Sequence, residues 1–240
     1  MTRLAKLGDG LWSADAETRV APGAVFPLRM AVMQVGGELL LHSPVPIDDA
    51  LARELAELGP VAHLLAPNKF HHLHLQGAAE RYPEARVWGA PGLREKLPGI
   101  RFDRILGQHS EPGWTGSLDQ LVVSGVPRVN EVVTLHRPSR SLLVTDLVFN
   151  MNQTRGVLSP LVLWLVGGQR GFMHSRTWRW FFVRDRAAAG VDLGRVLSWD
   201  FDRIVPCHGD VLEIDARERL AHELAYLTAA RAGSEAGGGG

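Results

Sequence analysis

Three histidines crowd into the stretch APNKFHHLHLQG, residues 66–77, where His71, His72 and His74 follow the apolar run VAHLL. Neutral imidazole is a common ligand for transition metals and an equally common capping or core hydrogen-bonder, so this spacing alone leaves both roles open. Two distant segments narrow the choice. Asp146 sits in SLLVTDLVFN and His208 in IVPCHGD, each at the end of its own β-rich run. A carboxylate and imidazoles without cysteine suit Zn²⁺ or Fe²⁺ and leave coordination positions for water. That is a donor set for metal-assisted hydrolysis, in which the cation lowers the pKa of water and polarises the bond to be broken.

Such residues must be delivered by a scaffold, and the pattern of the chain predicts an α/β one. GLWSAD, RMAVMQV and ELLLHSPV are β-rich runs broken by Gly-Gly and Pro, the pattern of antiparallel strands over residues 10–45. IDDALARELAELG predicts a helix with Asp48 or Asp49 as N-cap, apolar residues at 51, 55 and 58, and Gly59 as the stop. VAHLLAP is then a buried strand, LQGAAERYP a helix closed by Pro83, ARVWGAP a strand and GLREKLP a short helix. LDQLVVSGV, NEVVTLHRP and SLLVTDLVFN give further strands, with RPSR as a turn between the last two. Residues 157–199 are rich in Trp, Leu and Arg and predict an all-helical insertion or cap. FDRIVPCHGDVL predicts a final buried strand running into a His-Gly turn, followed by the helix DARERLAHELAYLTAARA. The histidine cluster, Asp146 and His208 thus fall at three strand ends, where α/β sheets build their sites.

Composition limits the alternatives. With 240 residues and 45% hydrophobic content the chain fits one domain, expected over 1–232, with 233–240 as a disordered Gly-rich tail. The 26 Lys and Arg balance 26 Asp and Glu, so no face needs to be basic enough to follow a nucleic acid. The single Cys207 excludes an internal disulfide and a cysteine-rich zinc ribbon. The longest greasy stretch, VLSPLVLWLVGG, is too short to span a bilayer, and the N-terminus lacks a signal-peptide core, so the expectation is a soluble cytoplasmic protein with no membrane partner. No Ser-His-Asp order, Walker loop or dinucleotide glycine fingerprint is present.

Taken in order, VAHLLAPNKFHHLHLQGAAERYPEARVWGAPG, SRSLLVTDLVF and IVPCHGD resemble the metallo-β-lactamase fold superfamily over most of the chain. PNKFHH, TDLVFN and HGD resemble most closely a bacterial and plant branch described as a domain of unknown function. The resemblance implies a four-layer αββα sandwich with metals along one edge, and does not by itself imply hydrolysis. The superfamily's first motif, His-x-His-x-Asp-His, falls on Pro67, Lys69, His71 and His72, and a further histidine falls on Pro127. By that correspondence one metal site is dismantled. The second, using His71, His72, Asp146 and His208, survives with an Asp-to-His exchange and would hold one Zn²⁺ or Fe²⁺ ion.

Lys69 stands where a ligand of the lost metal would be, so its ammonium could orient a small anionic substrate, or simply point into solvent. His74, between Leu73 and Leu75, is a candidate partner to a ligating histidine or a surface residue. HSP at 42–44 replaces the Asp-x-Gly that often ends an early strand of the superfamily. Asn68 and Asn130 could hydrogen-bond within the site loops but better fit turn positions, and Cys207 fits a small buried hydrophobe beside His208, with a reactive thiol as the alternative. Arg170, Arg176 and Arg179 among Trp164, Trp178 and Trp180 fit amphipathic packing, or alternatively a lid. Two functions compete: a single-metal hydrolase of an ester, thioester, lactone or phosphoester with Asp146 and Lys69 in catalytic roles, and a non-catalytic binding or structural module on the same fold.

Overall fold

The computed structural model describes residues 3–114, 116–152, 158, 159, 161, 164 and 171–228. Arg170 and the tail 233–240 lie outside them.

The first half builds one seven-stranded sheet in chain order: β1 (Leu4–Gly8), β2 (Leu11–Ala21), β3 (Ala24–Val35), β4 (Glu38–His42), β5 (Val61–Ala66), β6 (Arg86–Gly89) and β7 (Arg104–Ile105). Its first four strands form the expected antiparallel meander, with β1 added at the edge. From β4 onward the pairing is parallel. Parallel neighbours require crossovers, which are supplied by α1 (Asp49–Leu58) between β4 and β5 and α2 (Leu75–Arg81) between β5 and β6. Asp48 is the N-cap of α1, its side chain accepting from the Leu51 N–H. The Gly59 N–H closes the helix onto the Leu55 carbonyl, and Leu51 and Leu55 face the core. A short helix, α3 (Leu93–Lys96), follows β6.

The second sheet has the order β13-β10-β9-β8, from β8 (Leu118–Val122), β9 (Val132–His136), β10 (Ser141–Val144) and β13 (Arg203–Pro206). Alternation along its strands explains the layers. Leu143 and Val205 belong to the apolar cluster shared with the first sheet, while Leu142, Val144 and Ile204 belong to a second cluster shared with α4 (Arg186–Leu197) and α5 (Ala216–Thr228). With both faces covered, every residue of β9 and β10 is buried. The result is the αββα sandwich expected from the sequence.

Two departures concern the segments around Asp146. SLLVTDLVFN is not one strand: β10 stops at Val144, and β11 (Phe149–Met151) pairs instead with β12 (Gly171–Met173). The break frees Thr145 and Asp146 from the ladder. β12 also means that residues 157–199 are not wholly helical, although a π-helical turn, Trp178–Phe182, and α4 lie there. Among the described residues no helix is long and apolar enough to cross a membrane.

Candidate metal centre

β10 and β13 run parallel with Val144 opposite Pro206, so the chain leaves both strands on the same edge. Two residues further along each, Asp146 and His208 emerge side by side. The loop after β5, in the other sheet, brings His71 to the same point. One ligand atom from each of these three residues lies within 4.8 Å of the others, and the residues are buried or nearly so.

The hydrogen bonds behind the imidazoles decide which atoms face the centre. His208 Nδ1 donates to the Pro27 carbonyl at 2.8 Å, because a carbonyl can only accept; the neutral ring therefore presents the Nε2 lone pair. His71 Nδ1 is held 2.9 Å from Ser43 Oγ, which leaves its Nε2 facing the same way. The two Nε2 atoms are 3.1 Å apart, and Asp146 Oδ1 lies 3.7 Å from that of His71 and 3.6 Å from that of His208. Nitrogens so close need either a shared proton or a cation between them, and a carboxylate oxygen beside both completes a donor set of the right kind for a divalent ion. Burial alone would raise the Asp146 pKa, but a proton held between His71 and His208 outweighs it and keeps the carboxyl below the usual carboxylate range. Burial lowers the His71 pKa despite Asp146, keeping this imidazole in the neutral form that binds metals.

Several residues outside the trio hold it in place. Asn68, fully buried, accepts from the Phe70 and His71 N–H groups through Oδ1 and donates through Nδ2 to Thr145 Oγ1 at 2.9 Å and Asp146 Oδ2 at 2.6 Å. Its turn role is thus combined with direct support of the carboxylate. The buried Glu131 carboxylate accepts from the Thr145 and Asp146 N–H groups at 2.7 and 2.9 Å, gripping the backbone where β10 ends. Burial, and then the Asp146 charge, push the Glu131 pKa up to about 7. Arg29 donates to the Pro206 and Gly209 carbonyls and forms a two-pronged pair with Asp15, tying the His208 turn to β3. Ser43 adopts φ +55°, a conformation uncommon outside glycine, in which its N–H bonds the Leu65 carbonyl while Oγ reaches His71. Sequence patterning carried no signal for Glu131 or Arg29, whose roles arise only when distant segments meet.

The remaining sequence candidates are placed differently. His72, adjacent to His71, joins neither the trio nor the wall of the neighbouring cavity; besides burial, the charge that lowers its pKa most is Lys96. Of the four expected ligands the structure brings three together, His71, Asp146 and His208. Lys69 Nζ donates to the Pro127 carbonyl at 3.0 Å and does not line the cavity. The structure therefore turns the lysine away from the place where it would orient a substrate anion. His74 lines the cavity without joining the trio. Cys207 is buried, and burial pushes its thiol pKa far up, as suits a small hydrophobe. His42 is buried with neither ring nitrogen hydrogen-bonded among the described residues, and its pKa falls to about 3, chiefly through desolvation. Arg179 stacks on Tyr226 with 4.2 Å to the ring centroid, the packing role expected of it.

The cavity that opens onto the trio has a volume of about 370 Å³. Its wall includes Phe26, Leu28, Phe149, Trp178 and Phe182, with Phe70 and Leu73 exposed at the mouth.

A two-sheet sandwich with His and Asp donors at one edge is the arrangement of metallo-β-lactamase fold proteins, and solved structures bear the fold out. The chain is similar to a metallo-β-lactamase from Pontibacter korlensis, with 14% identity over 95% of this chain and 99% of that one and a TM-score of 0.65. It is similar to the metallo-β-lactamase FIM-1 from Pseudomonas aeruginosa in its mono-zinc form, with 13% identity, 95% and 96% coverage and a TM-score of 0.62. A metal-soaked Flv1 flavodiiron core from Synechocystis sp. PCC6803 matches at 11% identity and TM-score 0.66, over 95% of this chain and 61% of that one. At these identities the likeness is one of fold. No curated protein matches the chain by sequence. The chain belongs to the family described as Domain of unknown function (DUF4336), whose model matches residues 8–161.

Proposed function

We propose that this protein is a single-metal hydrolase that binds one Zn²⁺ or Fe²⁺ ion through His71, Asp146 and His208. The observation that carries the reading is the inward convergence of two imidazole Nε2 atoms, 3.1 Å apart, on one carboxylate oxygen. The anchoring of each Nδ1 by Ser43 or the Pro27 carbonyl gives it further support. A donor set of two histidines and one carboxylate leaves a coordination position open, the mark of a catalytic rather than a structural site. Bound there, a divalent cation supplies Lewis-acid polarisation and lowers the pKa of water toward neutrality. The protein's own part is to hold the three donors rigidly, through Asn68, Glu131 and Arg29, and to keep the reacting bond in a cavity of largely apolar surface.

The position-by-position resemblance supports one ion rather than two. Pro67, Lys69 and Pro127 occupy positions where the superfamily carries ligands of a second metal. The Lys69–Pro127 hydrogen bond joins two of those positions directly. FIM-1, crystallised in a mono-zinc form, is consistent with one ion on this fold, and the flavodiiron core keeps iron in view.

Elemental analysis of tag-free protein tests the reading. About one equivalent of zinc or iron per chain, lost in both Asp146→Ala and His208→Ala, is the expected result. No metal after incubation with either ion would leave the trio as a proton-sharing polar cluster and favour the non-catalytic module.

A further inference from the structure

Resting on the hydrolase reading, we infer that the substrate is a neutral ester carrying an apolar acyl or aryl group, not a phosphoester or other multiply charged anion. No lysine or arginine is among the described residues that line the cavity. Phosphate recognition draws on cationic forks or clusters of N–H donors. Lys69, the cation the sequence offered for that role, donates instead to the Pro127 carbonyl. Apolar surface dominates the wall instead, and beyond the trio its polar residues are the hydroxyl-bearing Thr18, Ser43, Ser175 and Thr177 and the imidazole of His74. Leu28 and Trp178 are buried, Phe26 and Phe149 flank His208 with ring centroids 6.5 and 5.1 Å from its imidazole, and Phe70 pairs with Phe182 at 5.8 Å.

The gradient of exposure sets the direction of binding. His71 and His208, each 8% exposed, lie at the floor, whereas Phe70 at 43% and Leu73 at 63% lie at the mouth. An acyl group can therefore keep its carbonyl at the trio while its hydrocarbon covers apolar wall and rim that would otherwise meet water. The volume of about 370 Å³ stands at the small end of ordinary ligand cavities, roughly 300–1,000 Å³, so the apolar group is modest in size. In the reaction a bond forms between the water oxygen and the acyl carbon, and the bond from that carbon to the alkoxy oxygen breaks. One water proton ends on the alcohol, and the acid releases the other to solvent.

The test combines catalysis with binding. On zinc-loaded protein, kcat/KM for p-nitrophenyl esters should rise at least tenfold from acetyl to octanoyl, and p-nitrophenyl phosphate should be cleaved at least tenfold more slowly than the octanoyl ester. Calorimetric titration with the uncleaved amides from butanamide to octanamide should show affinity rising about two- to fourfold per methylene. Leu73→Glu and Phe70→Ser, changes at exposed positions that the fold tolerates, should each flatten both series. Amide affinity that rises with chain length without ester cleavage would uphold the ligand class and sink the hydrolase reading. Ester cleavage indifferent to chain length, faster cleavage of the phosphate, or amide affinity that is flat or absent would each overturn the apolar-ester proposal.

Discussion

The Asn68 Nδ2 donates to Asp146 Oδ2 across 2.6 Å, while the same amide's Oδ1 accepts from the N–H groups of Phe70 and His71. Those two backbone donors fix which end of the amide faces the carboxylate. One buried side chain thus sets both the loop that carries His71 and the orientation of Asp146. Asn68→Ala should weaken metal binding by about 10- to 100-fold, the usual consequence of removing such a supporting partner. Asn68→Asp should be worse, since it sets a second carboxylate against Asp146. Competition titration against a metal chelator gives both affinities, and unchanged affinity in Asn68→Ala would remove this residue from the site.

Glu131 performs the matching task on the backbone side. Its carboxylate accepts from Thr145 and Asp146 N–H groups in a place closed to water. In Glu131→Gln the amide NH₂ must face one of those N–H groups, so a buried donor goes unpaired at a cost of about 1–3 kcal/mol. Denaturant unfolding should show that loss together with weaker metal binding. Equal stability of Glu131→Gln and the parent would mean that a protonated, amide-like state already serves.

How much of this arrangement was legible in the sequence depends on whether the signal was local. Asp48 and Gly59 announce α1, and the burial of every residue from His63 to Ala66 and throughout SLLV reflects strands covered on both faces, so the sandwich and the three strand ends could be anticipated. His71 and His72 were harder to separate. They differ by one position in an irregular turn, where no period of two or 3.6 residues says which ring points inward. Lys69 carried a charge suited to an anion, but its partner, the Pro127 carbonyl, comes from a remote loop. Glu131 and Arg29 look like ordinary surface charges until β9 and β3 bring them beneath the site. β12 is three residues long and its pairing with β11 has no turn signature, which hid it inside a segment that otherwise favours helix.

Two buried histidines away from the trio make the fold sensitive to acid. Desolvation lowers the pKa of His136 and of His174 from 6.5 to about 4 in each case. His174 is held neutral between the Leu147 carbonyl at Nδ1 and the Tyr226 hydroxyl at Nε2, and His136 bonds Ser139 Oγ. At these two positions the unfolded chain binds more protons than the native one between pH 6.5 and 4, so the stability they contribute above 6.5 is lost as the pH falls toward 4. Each pKa unit corresponds to about 1.4 kcal/mol, which makes the combined effect several kcal/mol. The Tm should fall steeply below pH 6.5, and His174→Gln should lessen the slope. An unchanged slope in that variant would place the acid sensitivity elsewhere.

Gly209 offers the most selective way to move His208 without touching its ring. The residue has φ +93°, and an added Cβ would stand 2.0 Å from the Asn150 carbonyl oxygen and 2.4 Å from its carbon. Both obstacles are backbone, held by the Asn150 N–H to His208 carbonyl bond and the Asp210 N–H to Asn150 carbonyl bond. The clash cannot be relieved by a rotamer, so Gly209→Ala must displace the turn that carries His208. The expected cost is about 2 kcal/mol or more, from strain and overpacking together. Gly36→Ala provides the comparison: its φ is +59°, but nothing lies within 4 Å of the added carbon, so conformational strain acts alone. Gly209→Ala should lose metal while Gly36→Ala retains it, as read by elemental analysis after gel filtration. Metal retained equally in both would show that the position of His208 does not govern binding, and would break the link between the geometry of this turn and the proposed chemistry.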